Sequence, residues 1–194
     1  MKMFDRVAIA CDQGHLDVAL SIRAALELFR LRVDFHFCVQ KRNILDFLAG
    51  QIPRAEYVVL CAFGSDSRAP IEEISMGMDA VDLIEGKWTG VRVPLTPENI
   101  PTLVNLPGRT VINLGCNSGL EPFANAFLEA GCKAYVGPDG PVDQDAAALF
   151  AISFFYHLLS SERDPSLACG DEEAVQRAAA LGTEMRTDKW NQCA

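Results

Sequence analysis

Short apolar runs alternate along the chain with stretches whose apolar residues recur at helical spacing. Five runs predict buried strands, near 6–11, 33–39, 57–63, 110–115 and 133–136. The stretches between and after them predict helices near 16–30, 43–52, 96–103, 120–130, 143–160 and 172–181. Continuous apolar strands that alternate with helices predict an α/β fold of the doubly wound kind, in which a mostly parallel sheet carries helices on both faces.

The chain is 194 residues long, which predicts one main domain over residues 1–165. Turn residues interrupt the alternation at about 64–108, so we expect an irregular insertion there, with a hairpin or edge strand at 87–93. Residues 166–194 are polar, and we expect a C-terminal tail with room for one helix.

Charge and composition exclude several classes of function. The net charge of −9 argues against a nucleic-acid partner, which requires a cationic surface. No apolar run reaches the ~18 residues of a membrane span, and no secretory leader is recognisable. Seven cysteines without a CxxC pair predict free thiols in a reducing cytoplasm, with no metal and no cofactor.

One cysteine stands where this architecture places its chemistry. The carboxyl ends of the strands bring together the loops Asp12–His15, Gly64–Arg68 and Cys116–Gly119. Cys116 is the candidate nucleophile, and the N–H groups of Asn117, Ser118 and Gly119 are candidate oxyanion donors. The alternative is that Cys116 is a small buried residue at a tight turn.

A family resemblance supports this placement over residues 95–159. The segment LTPENIPTLVNLPGRTVINLGCNSG, followed by AFLEAGCKAYVGPDGPVDQDAAALFAISFFYHLL, resembles the caspase-like cysteine peptidases of the CHAT type. The matching elements follow in order: Cys116-Asn117-Ser118-Gly119, Phe127-Leu128-Glu129-Ala130-Gly131, Val142-Asp143 and Phe155-Tyr156-His157-Leu158. The resemblance implies a caspase-like fold with Cys116 as the nucleophile.

At the position of the catalytic base, this chain differs from the family that it resembles. The family carries a His-Gly pair at the end of its third strand, whereas this chain has Phe63 before Gly64. We therefore expect a domain without peptidase activity that acts as a binding or scaffold module for a protein or peptide partner. The alternative is an active cysteine hydrolase whose base has moved to His15, although the third strand separates His15 from Cys116.

Acidic residues near the strand ends give two further hypotheses. Asp12, Asp66 and Asp139 are candidates to bind a basic side chain of a substrate, although such residues are also common in turns and caps. The opening VAIACDQGH also resembles the ribose-phosphate isomerase B type, in which an Asp after the first strand meets the sugar. That resemblance implies a small-molecule enzyme as a third alternative.

Overall fold

The computed structural model describes residues 5–64, 76–163, 169–183 and 190–193, and six strands of these residues form one sheet. The strands are β1 Arg6–Cys11, β2 Arg32–Phe37, β3 Tyr57–Cys61, β6 Thr110–Asn113, β7 Ala134–Pro138 and β8 Trp190–Cys193. Their order in the sheet is β2-β1-β3-β6-β7-β8. The first five strands in that order are parallel, and β8 is antiparallel.

Helices cover both faces of this sheet, because alternate strand residues point to opposite sides. The helices are α1 Leu16–Leu28, α2 Lys41–Leu48, α3 Ile100–Leu103, α4 Glu121–Glu129, α5 Gln144–Arg163 and α6 Asp171–Thr183. In β1, Val7 and Ile9 join the core beneath α1, α5 and α6. Ala8 and Ala10 join the opposite core, beneath α2, α3 and α4. The doubly wound α/β prediction is confirmed.

Several helix ends differ from the sequence prediction. The predicted helix at 96–103 is only α3, because the Asn99 side chain accepts the N–H of Thr96 at 2.9 Å and holds the preceding residues in a turn. The predicted helix at 43–52 begins and ends earlier, at Lys41 and Leu48. None of the described helices, the 20-residue α5 included, combines the length and apolarity that crossing a bilayer requires.

The predicted irregular insertion contains a regular hairpin. Strands β4 Met76–Ile84 and β5 Lys87–Leu95 pair antiparallel through a two-residue turn, Glu85-Gly86, in which both φ angles are positive. Met76 and Met78 on its inner face are buried in the core on the α2 side. The sequence indicated only its second strand, because turn residues before Met76 hid the first. Residues 65–75 lie outside the described part of the chain.

The C-terminal region contains the helix predicted at 172–181, as α6, and a strand, β8, that the sequence did not predict. α6 packs on α5, and β8 pairs with β7 at the sheet edge. At the start of α6, the Asp171 carboxylate accepts a hydrogen bond of 2.7 Å from the Tyr57 hydroxyl and lies 3.5 Å from the Lys133 ammonium. These contacts anchor the polar segment to the amino ends of β3 and β7.

Candidate functional site

Cys116 lies in a tight turn just after β6, at the carboxyl edge of the sheet. The structure describes the side chains of six cysteines, of which Cys116 is partly exposed and the other five are buried. Asn117 follows it with φ of 58°, a left-handed conformation that Asn tolerates better than most residues. The turn therefore presents the Cys116 thiol outward from a buried backbone.

A buried polar network holds this turn from below. The Asn113 side-chain oxygen accepts the Gly115 N–H at 3.0 Å, and the Ser118 hydroxyl donates to the Asn113 carbonyl at 3.3 Å. The Tyr135 hydroxyl donates to the Ser118 carbonyl at 3.0 Å. Asn113 and Tyr135 are fully buried, and neither was a site candidate. An Asn at the end of an otherwise apolar strand was the one available signal.

The Cys116 sulfur is itself hydrogen-bonded to the loop before α5. Its Sγ accepts the Val142 N–H at 3.3 Å and lies 3.5 Å from the Val142 carbonyl, to which the S–H donates. The Val142 backbone therefore holds the Cys116 sulfur in place from two directions.

The predicted oxyanion donors are already engaged within the turn. The N–H groups of Asn117, Ser118 and Gly119 donate to the carbonyls of Gly140, Gly115 and Pro138, at 2.9, 3.2 and 2.7 Å. Ser118 is fully buried, so its side chain supports the turn. These three residues shape the loop around Cys116 and leave no free backbone N–H of their own.

Gly64 is a site residue that the sequence did not single out. A Cβ at Gly64 would collide with the backbone N, C and O of Cys116, so glycine is required for this close approach. The N–H groups of Gly64 and Cys116 donate no hydrogen bond to any residue that the structure describes. These two N–H groups are therefore candidate donors for a bound oxygen atom.

His15 and Asp12 form a buried pair at the end of β1. The Asp12 carboxylate oxygen Oδ1 lies 2.7 Å from His15 Nδ1 and also accepts the His15 N–H at 3.2 Å. Its second oxygen accepts the Asp79 N–H of the hairpin at 2.9 Å. Burial alone would raise the pKa of Asp12, but the hydrogen bonds from the His15 ring and the Asp79 N–H lower this pKa overall.

This arrangement makes Asp12 the partner of His15. Asp12 has no exposed surface, and both of its carboxylate oxygens are occupied. Of the other acidic candidates, Asp66 lies outside the described residues, and Asp139 follows β7 without lining the pocket beside Cys116. Of the two described candidates, neither Asp12 nor Asp139 lines the cavity at the thiol.

Phe63 follows β3, the strand between β1 and β6. Its ring packs edge-on against the His15 ring, with centroids 4.2 Å apart. The Arg92 guanidinium of the hairpin lies 5.2 Å from the centroid of the same ring. The Phe63 ring therefore forms an aromatic wall at the end of β3, the strand that lies between those that carry His15 and Cys116.

A cavity of about 160 Å³ joins these elements. His15, Phe63, Gly64 and Cys116 line it together with residues of α1 and α5. The topology places one strand between His15 and Cys116, as predicted, and the cavity is the space that both residues share. Within the described residues, no group of three or more His, Cys, Asp or Glu side chains has an arrangement that holds a metal ion.

The comparisons with known proteins bear on the fold. No protein-family model and no curated protein matches the chain. Among solved structures, the chain is similar to the Arg-specific cysteine proteinase gingipain R, with a TM-score of 0.59 and 12% identity over 97% of this chain and 46% of that one. It is also similar to separase in the Saccharomyces cerevisiae separase–securin complex, with a TM-score of 0.50 and 11% identity over 91% of this chain and 10% of that one.

The chain has a caspase-like fold. The central sheet of five parallel strands flanked by helices is the part that it shares with both structures. The chain spans less than half the length of gingipain R and a tenth of separase. The caspase-like fold is therefore shown, and the activities of those longer proteins are not carried over with it.

Proposed function

We propose that this chain is a caspase-like domain without peptidase activity that binds a peptide or protein segment at the Cys116 cavity. The proposal includes the CHAT type of the family and the assignment of Phe63 to the position of the family's histidine. Phe63 and Cys116 follow neighbouring parallel strands and line one cavity, which supports that assignment.

The observation that carries the proposal is the apolar ring of Phe63 at the strand end beside the thiol. A phenyl ring neither takes a proton from Cys116 nor gives one to a leaving amine. General-base help is typically worth 10²–10⁴-fold, or about 3–5 kcal/mol of barrier.

Several features support binding at the same cavity. The thiol is accessible, and the N–H groups of Cys116 and Gly64 are available to hold the carbonyl of a peptide. The separase structure was solved with securin, a protein partner, which supports a protein partner here. The net charge of −9 argues against nucleic acid.

The free thiols support a cytoplasmic location. Cys11 and Cys61 are register partners on the adjacent strands β1 and β3, yet both are free thiols, as are Cys38, Cys116, Cys132 and Cys169. Thiols persist in this state in reducing compartments.

Protection of Cys116 from alkylation tests the binding proposal. A peptide library is screened for members that slow the reaction of Cys116 with iodoacetamide, read by intact-mass spectrometry. We expect saturable protection by a subset of peptides, with the peptides recovered intact. The same peptides should bind Cys116→Ala by calorimetry. Absence of protection across the library, or recovery of cleaved peptides, contradicts the proposal.

The Asp12–His15 pair favours a second candidate, a cysteine hydrolase. A carboxylate bound to His Nδ1 fixes the imidazole with Nε2 free, as in the Ser-His-Asp arrangement, and His15 lines the Cys116 cavity. In that case His15→Gln should lower turnover by about 10²-fold or more. A matched control is His36→Gln on β2. No observation favours the sugar-phosphate isomerase alternative, since both Asp12 oxygens are occupied.

A further inference from the structure

The described residues that line the Cys116 cavity include no Asp, Glu, Lys or Arg. Six of these lining residues are apolar: Val18, Ala62, Phe63, Leu114, Val142 and Ala147. The polar side-chain groups among them are the thiols of Cys61 and Cys116, the His15 ring and the Gln144 amide near the start of α5. A charged side chain that enters this cavity loses water without gaining an opposite charge.

The nearest buried carboxylate does not alter this picture. Asp12 lies behind His15, with its oxygens bonded to His15 and to the Asp79 N–H. A lysine or arginine side chain would have to displace one of these buried hydrogen bonds to reach Asp12.

The charges beside the Phe63 wall neutralise each other. The Arg92 guanidinium, which lies over the Phe63 ring, is 3.6 Å from the Asp79 carboxylate. Both side chains are about half exposed, at 50% and 57%. This pair offers neither an unpaired cation for an acidic ligand nor an unpaired anion for a basic one.

The size of the cavity limits what enters it. Its volume of about 160 Å³ is close to the roughly 150 Å³ of an apolar cavity that admits benzene, and well below the ~300 Å³ at which drug-sized ligands fit. The space therefore suits one side chain up to the size of a phenyl ring.

From these observations we propose that the cavity selects an uncharged, apolar side chain of leucine or phenylalanine size, in the peptide residue whose carbonyl lies at Cys116. This inference rests on the proposed function, in which a peptide occupies the cavity. This side-chain class differs from the basic side chain that the acidic residues suggested in the sequence analysis, and from the Arg specificity of gingipain R.

A series of thiol-reactive probes tests the side-chain class directly. The chloromethyl ketones of N-acetylated Leu, Phe, Lys and Asp alkylate Cys116 by one reaction, in which the S–C bond forms, chloride leaves and the thiol proton passes to buffer. Each rate constant is divided by that of iodoacetamide, which has no side chain and corrects for thiol reactivity. We expect the Leu and Phe probes to react at least about tenfold faster than the Lys and Asp probes.

An isosteric change of charge supplies the decisive variant. Gln144→Glu adds a carboxylate at the cavity mouth in the first turn of α5, where an acidic residue is well tolerated. We expect the Lys probe to gain at least about fivefold relative to the Leu probe. Gln51→Glu, an exposed residue away from the cavity with the same change of net charge, should leave the ratio unchanged.

The outcomes separate this inference from the proposed function. Three results would overturn the proposed preference for an apolar side chain. They are a Lys or Asp probe that reacts fastest with the wild type, equal normalised rates for all four probes, and labelling by iodoacetamide alone. None of these results bears on whether the chain cleaves peptides. Cleavage of peptides with a preserved Leu and Phe preference overturns the non-cleaving proposal and leaves the side-chain class in place.

Discussion

At the scale of single residues, exposure separates Cys116 from the other thiols. Cys11, Cys38 and Cys61 are buried at the carboxyl ends of the first strands. Burial raises the pKa of Cys11 and of Cys38 to about 12, and it also raises that of Cys61. The thiolate is the reactive form, so these three side chains are both shielded and protonated near neutral pH.

Alkylation rates should reflect this difference. In the folded protein near neutral pH, we expect iodoacetamide to label Cys116 at least about 100-fold faster than Cys11, Cys38 or Cys61, since access to a buried thiol requires local opening. Peptide mapping by mass spectrometry after timed quenching measures each rate. Denatured protein, in which all cysteines should react at similar rates, is the control. Slow labelling of Cys116 at the rate of the buried thiols would contradict an accessible site.

The ionised Asp12 carboxylate should make the free energy of unfolding depend on pH in the acid range. The pKa of Asp12 is lower in the folded state than in the unfolded chain. Its stabilising contribution to the free energy of unfolding is therefore fully present above the unfolded pKa of about 3.9 and is lost as pH falls through the folded pKa. Asp12→Asn should lower the free energy of unfolding at pH 7 by about 1–3 kcal/mol, with a smaller difference from wild type near pH 3.

Urea unfolding at both pH values measures this change, with Asp5→Asn, an exposed residue, as the control. A deficit in Asp12→Asn that stays constant from pH 7 to pH 3 would show that Asp12 is not held ionised by His15 and the hairpin.

At the scale of elements, the strands were predictable and the contacts between loops were not. The apolar runs of β1, β3 and β6 fall within two residues of their predicted bounds, because burial on both sheet faces leaves a continuous signal. The approach of Gly64 to Cys116 depends on the pairing of β3 with β6, which local pattern does not encode. The Asp12–Asp79 contact likewise joins a predicted loop to an unpredicted strand.

Gly64→Ala tests the contact between the two loops. The added methyl has backbone atoms of Cys116 in its way, and backbone cannot swing aside as a flexible side chain can. We expect a loss of about 2–4 kcal/mol in the free energy of unfolding, or a displaced Cys116 loop with an alkylation rate changed several-fold. Chemical denaturation and iodoacetamide kinetics measure the two effects.

Gly90→Ala is the matched control, because Gly90 lies in β5 with no atom within 4 Å of an added Cβ. It should change the free energy of unfolding by no more than about 0.5 kcal/mol. Wild-type stability together with wild-type Cys116 kinetics in Gly64→Ala would contradict the close approach.

At the scale of the whole molecule, strand order decides which loops meet. β3 lies between β1 and β6, so one strand separates the strand ends that carry His15 and Cys116, as the sequence predicted. In the C-terminal region the helix α6 was predicted, but the pairing of β8 with β7 was not. The position of this polar region depends on contacts between residues far apart in the sequence, those of Asp171 with Tyr57 and Lys133, and composition does not encode such contacts.

The most direct test of the non-cleaving caspase-like domain is a search for Cys116-dependent proteolysis. Wild type and Cys116→Ala are incubated with a proteome-derived peptide mixture, and new peptide termini are counted by mass spectrometry. We predict the same termini from both proteins, because the Phe63 ring beside the thiol accepts no proton, and His15, which is bound to Asp12, follows a strand that is not adjacent to β6. New termini from the wild type that are absent with Cys116→Ala would contradict the account and establish an active cysteine peptidase.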